Sequence, residues 1–296
     1  MAAGGETRGR ELPSRIGTFL GALALLRESP IAMMGAAILL FWVAMAVLAP
    51  LLPLADPNLP LEPLRPPLSV AADGSTTFWL GTDIKGRDVL SRLVWGAQRV
   101  LIWAGIATLA AYLVGVTMGL VAGYLGGWWD ETLSFLANVL LSFPVMVLYI
   151  IVITRIGASP LNIVLAVTFA SAPGIMRIVR GLVLDLKSRD YVAAARTRGE
   201  RPVYIMLVEL LPNARGPLIV DACLRLGYTT IALATLGFLG LGLPPPDPDW
   251  GAMIAETQPM GAFAGHAMIF PAIAISSLVL GFNLLADGLR EISSRD

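Results

Sequence analysis

Five stretches of this chain run for about 20 residues without a charged side chain, and no water-soluble fold accommodates so many uninterrupted apolar lengths. They lie at Ile31 to Leu52, Val100 to Leu125, Thr132 to Thr154, Ile156 to Met176 and Ala267 to Ala286. A sixth, less clean run begins near Gly216 and passes Leu236. At a rise of about 1.5 Å per residue, about 20 helical residues cross a hydrocarbon layer about 30 Å thick. An unpaired backbone amide in that layer costs several kcal/mol, so each run must satisfy its own hydrogen bonds as a helix. The runs do not alternate strictly between apolar and polar residues, which argues against barrel strands. The expected fold class is therefore an all-α polytopic membrane protein with six transmembrane helices.

Composition agrees, with 56% hydrophobic and 14% charged residues among 296. The formal net charge is zero, so there is no global basic field for nucleic acid. One cysteine, Cys223, excludes an internal disulfide, and one histidine, His266, excludes a His/Cys metal cluster. No catalytic, cofactor or metal residue is expected in the chain. Residues 16 to 26 resemble a short signal-peptide core, but Arg27 and Glu28 follow without a small-x-small cleavage pattern, so the stretch reads as retained.

Six spans place both termini on one side. If that side is the cytoplasm, fourteen of the 21 basic residues fall inside and six fall outside or near the outer ends, with Arg225 inside a span. The excess favours cytoplasmic termini. The expected organisation is a cytoplasmic segment 1–30, a first span 31–52, an extracytoplasmic segment 53–97, a five-helix core 98–288 with an inner loop 183–212, and a cytoplasmic end 289–296. Leu51 to Pro67 is rich in proline and predicts an extended excursion tethering a detachable first helix. Pro244 to Gly265 predicts a second outer loop. Ser142, Pro144 and Pro173 are expected to kink spans three and four.

The inner loop is the most informative soluble stretch. Asp190 to Arg198 reads as a short helix: an acidic start at Asp190, then Tyr191, then Ala193, Ala194 and Ala195, with Arg196 and Arg198 near its end, where cations suit the helix dipole. Gly199 supplies the turn, Pro202 opens the next stretch, Val203 to Leu211 predicts a second helix, and Pro212 predicts a break before the fifth span. Small alanines would let the first helix sit deep in a groove on another protein, with the arginines as a polar rim. From pattern alone the segment reads equally as such a docking knob or as an ordinary solvated helix-turn-helix.

Ala193, Ala194, Ala195, Gly199 and Leu210-Leu211-Pro212 resemble the "EAA" loop of ABC-type importer permeases, with Ala193 in place of the usual glutamate. LGTDIKGRDVLSRLVWGAQ (Leu80 to Gln98), LGFLGLGLPPPDPDWGAMIAE (Leu236 to Glu256) and FNLLADGLRE (Phe282 to Glu291) are similar to elements of the second membrane subunit of the dipeptide, oligopeptide and nickel permeases, in family order. The resemblance implies a type I importer permease fold in a bacterial or archaeal inner membrane, with the inner loop as the coupling helix held by an ATPase. It implies as partners a second permease subunit, two cytoplasmic ATPase subunits or domains, and an extracytoplasmic substrate-binding protein, besides membrane lipid. It favours short peptides as cargo, with nickel chelates, opines, sugars or polyamines as alternatives.

In GTDIKGRD, Gly81 and Gly86 permit turn conformations, and Asp83 and Asp88 can accept backbone hydrogen bonds or pair with Arg87. This turn chemistry favours a folded corner over a contact for a binding protein. Trp250 is expected to anchor at the outer lipid interface. Asp221 and Arg225, four apart on the fifth span, read as a structural ion pair rather than a substrate site; Asn283 and Asp287 read similarly at the inner end of the sixth. Neither Lys85 nor Lys187 sits in a Gly-x-x-x-x-Gly-Lys phosphate loop, so ATP and magnesium are expected on partner subunits and the chain is not expected to be an enzyme. An ATP-independent secondary transporter or channel would want carboxylate or histidine relays in several spans, and an intramembrane enzyme would want a nucleophile with its base; the sequence is poor in both.

Overall fold

A computed structural model describes residues 29–74 and 76–293. The stretch 16–26, the basic residues at 8, 10, 15, 27 and 295, and residue 75 lie outside those described. Among the described residues, five helices are long and apolar enough to cross a membrane, and a bent pair makes a sixth if counted as one span.

The first helix, α1 (Pro30–Leu48), is capped by Ser29, whose hydroxyl accepts from the Ala32 amide, and carries proline in its first turn. It is not detachable. Gly35 meets the backbone at Gly281 and Leu285, Gly288 meets Ala32, the Trp42 Nε1 donates to Ser277 Oγ at 3.0 Å, and Ser29 Oγ donates to Glu291 at 2.9 Å. Glycines let the two backbones approach closely, which is how helices associate where lipid supplies no hydrophobic drive.

After α1 the chain runs extended through the prolines, as expected, then makes a short antiparallel hairpin, β1 (Ser69–Val70) and β2 (Thr77–Phe78). The second long helix, α2 (Val89–Leu125), starts well before the predicted Val100, because Asp88 caps it by accepting from the Ser91 amide at 2.7 Å. Arg92 and Arg99 had interrupted the apolar run. They sit outside the hydrocarbon signal but inside the helix, with Arg92 buried against Asp83 and Arg99 paired with Asp247 at 2.9 Å.

The predicted third span, Thr132 to Thr154, is not one straight helix. It is α3 (Gly127–Leu141) followed by α4 (Val145–Ile156), bent by 89°. Pro144 has no amide to donate and itself stands at ψ 125°, outside the helical region, so the chain turns at Ser142 to Pro144. The other flagged proline, Pro173, lies within the continuous helix α5 (Pro160–Leu186).

The α2–α5 contact is the spine of the fold. Gly115, Gly119 and Gly123 fall on one face of α2 and lie against Ile175, Val179 and Val183 of α5, so tightly that an added Cβ would stand within 2.8 Å of each opposing side chain. Beyond α5 comes α6 (Asp190–Thr197), a glycine turn, and α7 (Pro202–Phe238). The break predicted at Pro212 does not occur. A π segment over Ile205–Leu210 leads into the α segment from Leu211, and Pro212 sits in that segment's first turn, where a missing amide and the bulky ring are tolerated.

The predicted outer loop contains a further helix, α8 (Trp250–Thr257), started by Asp249, whose carboxylate accepts from the Gly251, Ala252 and Leu243 amides. The last helix, α9 (Gly261–Ser293), kinks at Ala264 and contains the predicted sixth span. Trp250 is not a lipid-interface anchor. It is fully buried, its Nε1 donates to the Leu93 carbonyl at 3.0 Å, and it packs edge-on against Trp42 with ring centres 5.0 Å apart and against Gly96. An indole next to helix α2 loses less by burial than by exposure, because its one polar atom finds a carbonyl.

Candidate functional site

At one end of the bundle, α6 is pinned between α5 and α7. Val192 and Ala195 point inward and join Val179, Val183, Ile205, Met206 and Leu210 in one core cluster. Asp190, Ala193, Ala194, Arg196, Thr197, Arg198, Gly199 and Pro202 are exposed. The alanine run therefore divides: Ala193 and Ala194 face outward, whereas Ala195 is structural and belongs to no docking face. The helix ends in a Schellman turn, with the Gly199 amide bonded to the Arg196 carbonyl at 2.9 Å and the Glu200 amide to the Ala195 carbonyl at 3.2 Å. Gly199 has φ 77°, a conformation that favours glycine.

The arginines do not all form a free rim. The Arg196 guanidinium lies 5.1 Å above the Tyr124 ring at the end of α2, and Arg198 pairs with Glu209 at 3.2 Å. Tyr191 is partly buried with no hydrogen-bond partner for its hydroxyl among the described residues, and burial pushes its phenol pKa up. The exposed small face continues onto Val203 and Tyr204, which are apolar and also exposed. The two outward alanines of the anchored helix thus lie beside exposed apolar side chains.

At the opposite end, Gly81, Asp83, Gly86, Arg87 and Asp88 form a folded corner. Gly81 and Gly86 both have φ 80°. The Asp83 Oδ1 accepts from the Lys85 and Arg87 amides at 2.8 and 2.9 Å, while Oδ2 accepts from Arg87 Nε at 2.7 Å. Arg87 and Lys85 then reach Glu256 on α8, the latter at 2.9 Å. The His266 Nε2 lies 3.0 Å from the Thr82 carbonyl. Asp88 is buried at the helix start, and burial raises its carboxyl pKa. The corner thus clamps the segment that follows α1 to α2, α8 and α9.

Within the bundle, Asp221 and Arg225 are paired at 2.8 Å, and the Tyr112 hydroxyl donates to the same Asp221 oxygen. Asn283 faces Gly227 of α7. Asp287 does not face the bundle with it: it is exposed and lies 3.8 Å from Arg290. One turn of helix separates the two residues, and only Asn283 lies against α7.

Residues 115–296, more than half of the chain, match the family described as "Binding-protein-dependent transport system inner membrane component". The chain belongs to that family. The permease is 41% identical over 218 residues to the glutathione transport system permease protein GsiD of Pectobacterium atrosepticum, covering 73% of this chain and 72% of that protein. It is 35% identical over 273 residues to the dipeptide transport system permease protein DppC of Alkalihalophilus pseudofirmus, covering 91% and 87%. To DppC of Haemophilus influenzae it is 36% identical over 258 residues, covering 86% and 87%. These matches place the permease among inner-membrane subunits of ABC importers.

Several partners in these sites were missed from sequence. Tyr112, Tyr124 and Glu256 each lie far along the chain from the group they hold, and no spacing rule links them. The glycines at 115, 119 and 123 did carry a readable signal, a four-residue period of the smallest side chain in an apolar run.

Proposed function

We propose that this permease imports short peptides or peptide-like solutes, pairing with a second permease subunit to form the path and receiving cargo from an extracytoplasmic binding protein. The names of its relatives, dipeptide and glutathione permeases, support that substrate class. Two cytoplasmic ATPase subunits or domains, carrying ATP and magnesium, drive it through α6. Both termini lie in the cytoplasm on this reading, since Arg177, Arg180, Lys187, Arg189, Arg196, Arg198, Arg201 and Arg215 gather at the α6 end.

The observation that carries the docking assignment is the split face of α6: Val192 and Ala195 buried, Ala193 and Ala194 exposed. A helix held on one side by the core and bare on the other transmits a push without unfolding. The test is Ala194→Trp in the assembled importer. The indole has no core to disturb, so membrane insertion persists while ATPase co-purification and ATP-driven dipeptide uptake fall at least tenfold. Wild-type uptake by this variant would remove α6 as the docking element.

A further inference from the structure

An open cavity of about 330 Å³ lies between the bend at α3–α4 and helices α5 and α7. Its walls are mostly apolar, from residues such as Met146 and Ile231, but four polar side chains also line it: Tyr149, Ser171, Arg225 and Tyr228. The Tyr149 hydroxyl and Ser171 Oγ are 3.1 Å apart. Arg225 donates through Nε to Asp221, which also accepts from Tyr112 and does not line the cavity. The terminal nitrogens of the guanidinium lie over Gly174, 3.4 Å from where a Cβ would stand. The absence of a side chain there leaves the space before the guanidinium open.

A purely structural ion pair would close its surroundings, because charge in a membrane is stabilised by exclusion from lipid and by partners on every side. Here one edge of the guanidinium is fixed by Asp221 and the other edge borders a void of ligand size. A planar fork with two parallel N–H donors matches a carboxylate. We propose that this cavity is a recognition station on the transport path, at which Arg225 takes the free carboxylate of a passing peptide while Asp221 and Tyr112 hold the guanidinium in position. This rests on the peptide-import reading and adds the residue that reads the cargo. Asp221 has a second consequence. By holding one edge of the guanidinium it keeps the station weak, as a path requires if cargo is to leave as well as enter.

The experiment uses the assembled importer in proteoliposomes. With the partner subunits made cysteine-free, Cys223→Ser removes this chain's sole native thiol, and Tyr228→Cys puts one reporter on the cavity wall. Its rates with an anionic sulfonate and a cationic trimethylammonium methanethiosulfonate are compared, with alanyl-alanine or its C-terminal amide as protectant. A positive edge in a low-dielectric wall favours the anionic reagent by about fivefold. The combined Asp221→Asn and Arg225→Gln change should erase that preference. Alanyl-alanine should slow labelling and the amide should not. Equal rates with both reagents, or equal protection by both peptides, overturns the assignment. Met146→Cys reports on the same cavity if Tyr228→Cys does not assemble. Failure of ATP-driven dipeptide uptake by the unmodified importer would sink the import reading instead, and labelling is read without turnover, so the two failures are separable.

Discussion

Replacing Gly119 with alanine tests whether the α2–α5 spine is set by backbone proximity. A Cβ on Gly119 stands 2.5 Å from Val179 Cβ and 2.8 Å from both Val179 Cγ1 and the Met176 carbonyl. Ordinary carbon contacts lie at about 3.5–4.0 Å, so relief requires the helices to part by about 1 Å. Because Gly115 and Gly123 seat on the same partner helix, that movement also opens gaps one turn above and one turn below. Over-packing of this kind costs about 1–3 kcal/mol, and alanine returns about 1 kcal/mol of helix propensity, leaving a net loss of about 0–2 kcal/mol. The control is built into the same two helices. Gly105 of α2 and Gly181 of α5 have nothing within 4 Å of an added Cβ, so alanine there should be neutral or stabilising by up to about 1 kcal/mol. Denaturant titration of the purified complex in mixed micelles reads both signs. Val179→Gly added to Gly119→Ala transfers the free space across the interface and should recover part of the loss. Equal effects at Gly105 and Gly119 would refute the reasoning.

Two further expectations follow from burial and backbone geometry. Trp250→Ala empties a fully buried site and removes the indole donor to the Leu93 carbonyl, so it should destabilise by about 3–5 kcal/mol, whereas an interface anchor would lose little; thermal unfolding of the complex distinguishes the two. Gly199→Ala meets no atom within 4 Å, so its cost is the left-handed backbone alone, about 1 kcal/mol, and Gly199→Asn should cost less; dipeptide uptake should fall in that order of strain rather than of side-chain size.

How far the sequence could be read depended on whether the deciding contact was local. The turn at Gly199 and the short helix before it were legible, because a glycine after a run of alanines and arginines states its own termination. The division of that run, with Ala194 outside and Ala195 inside, was not legible, since it depends on where Ile205 and Leu210 arrive from α7. Trp250 was misread for the same reason: in sequence it stands in a proline-rich outer stretch, and the pocket that buries it is made by Trp42 and Gly96 from elsewhere. Pro144 and Pro212 illustrate the limit for backbone signals. Each proline removes one amide, yet Pro144 turns the chain by 89° and Pro212 leaves α7 unbroken, because only the second follows a widened π turn.

The arrangement also ties the two ends of the proposed mechanism together. Helix α6 is joined to α5 by three residues and to α7 by the Gly199 turn, and its inner face is packed into both. Ser171 and Gly174, on one wall of the cavity, belong to α5, and Arg225, on the other, belongs to α7. From Pro202 to Arg225 is about 35 Å of unbroken helix, and from Gly174 to Leu186 about 18 Å. A displacement imposed on α6 therefore reaches both walls through rigid rods, without crossing a flexible link. The rods are not held alike. The Gly115, Gly119 and Gly123 contacts lock α5 to α2 along this length, whereas α7 carries a π segment and Pro217 between α6 and the cavity. Movement of α6 relative to the spine should thus swing Arg225 more than it moves Gly174, changing the gap in front of the guanidinium at the point where the cargo's carboxylate would sit.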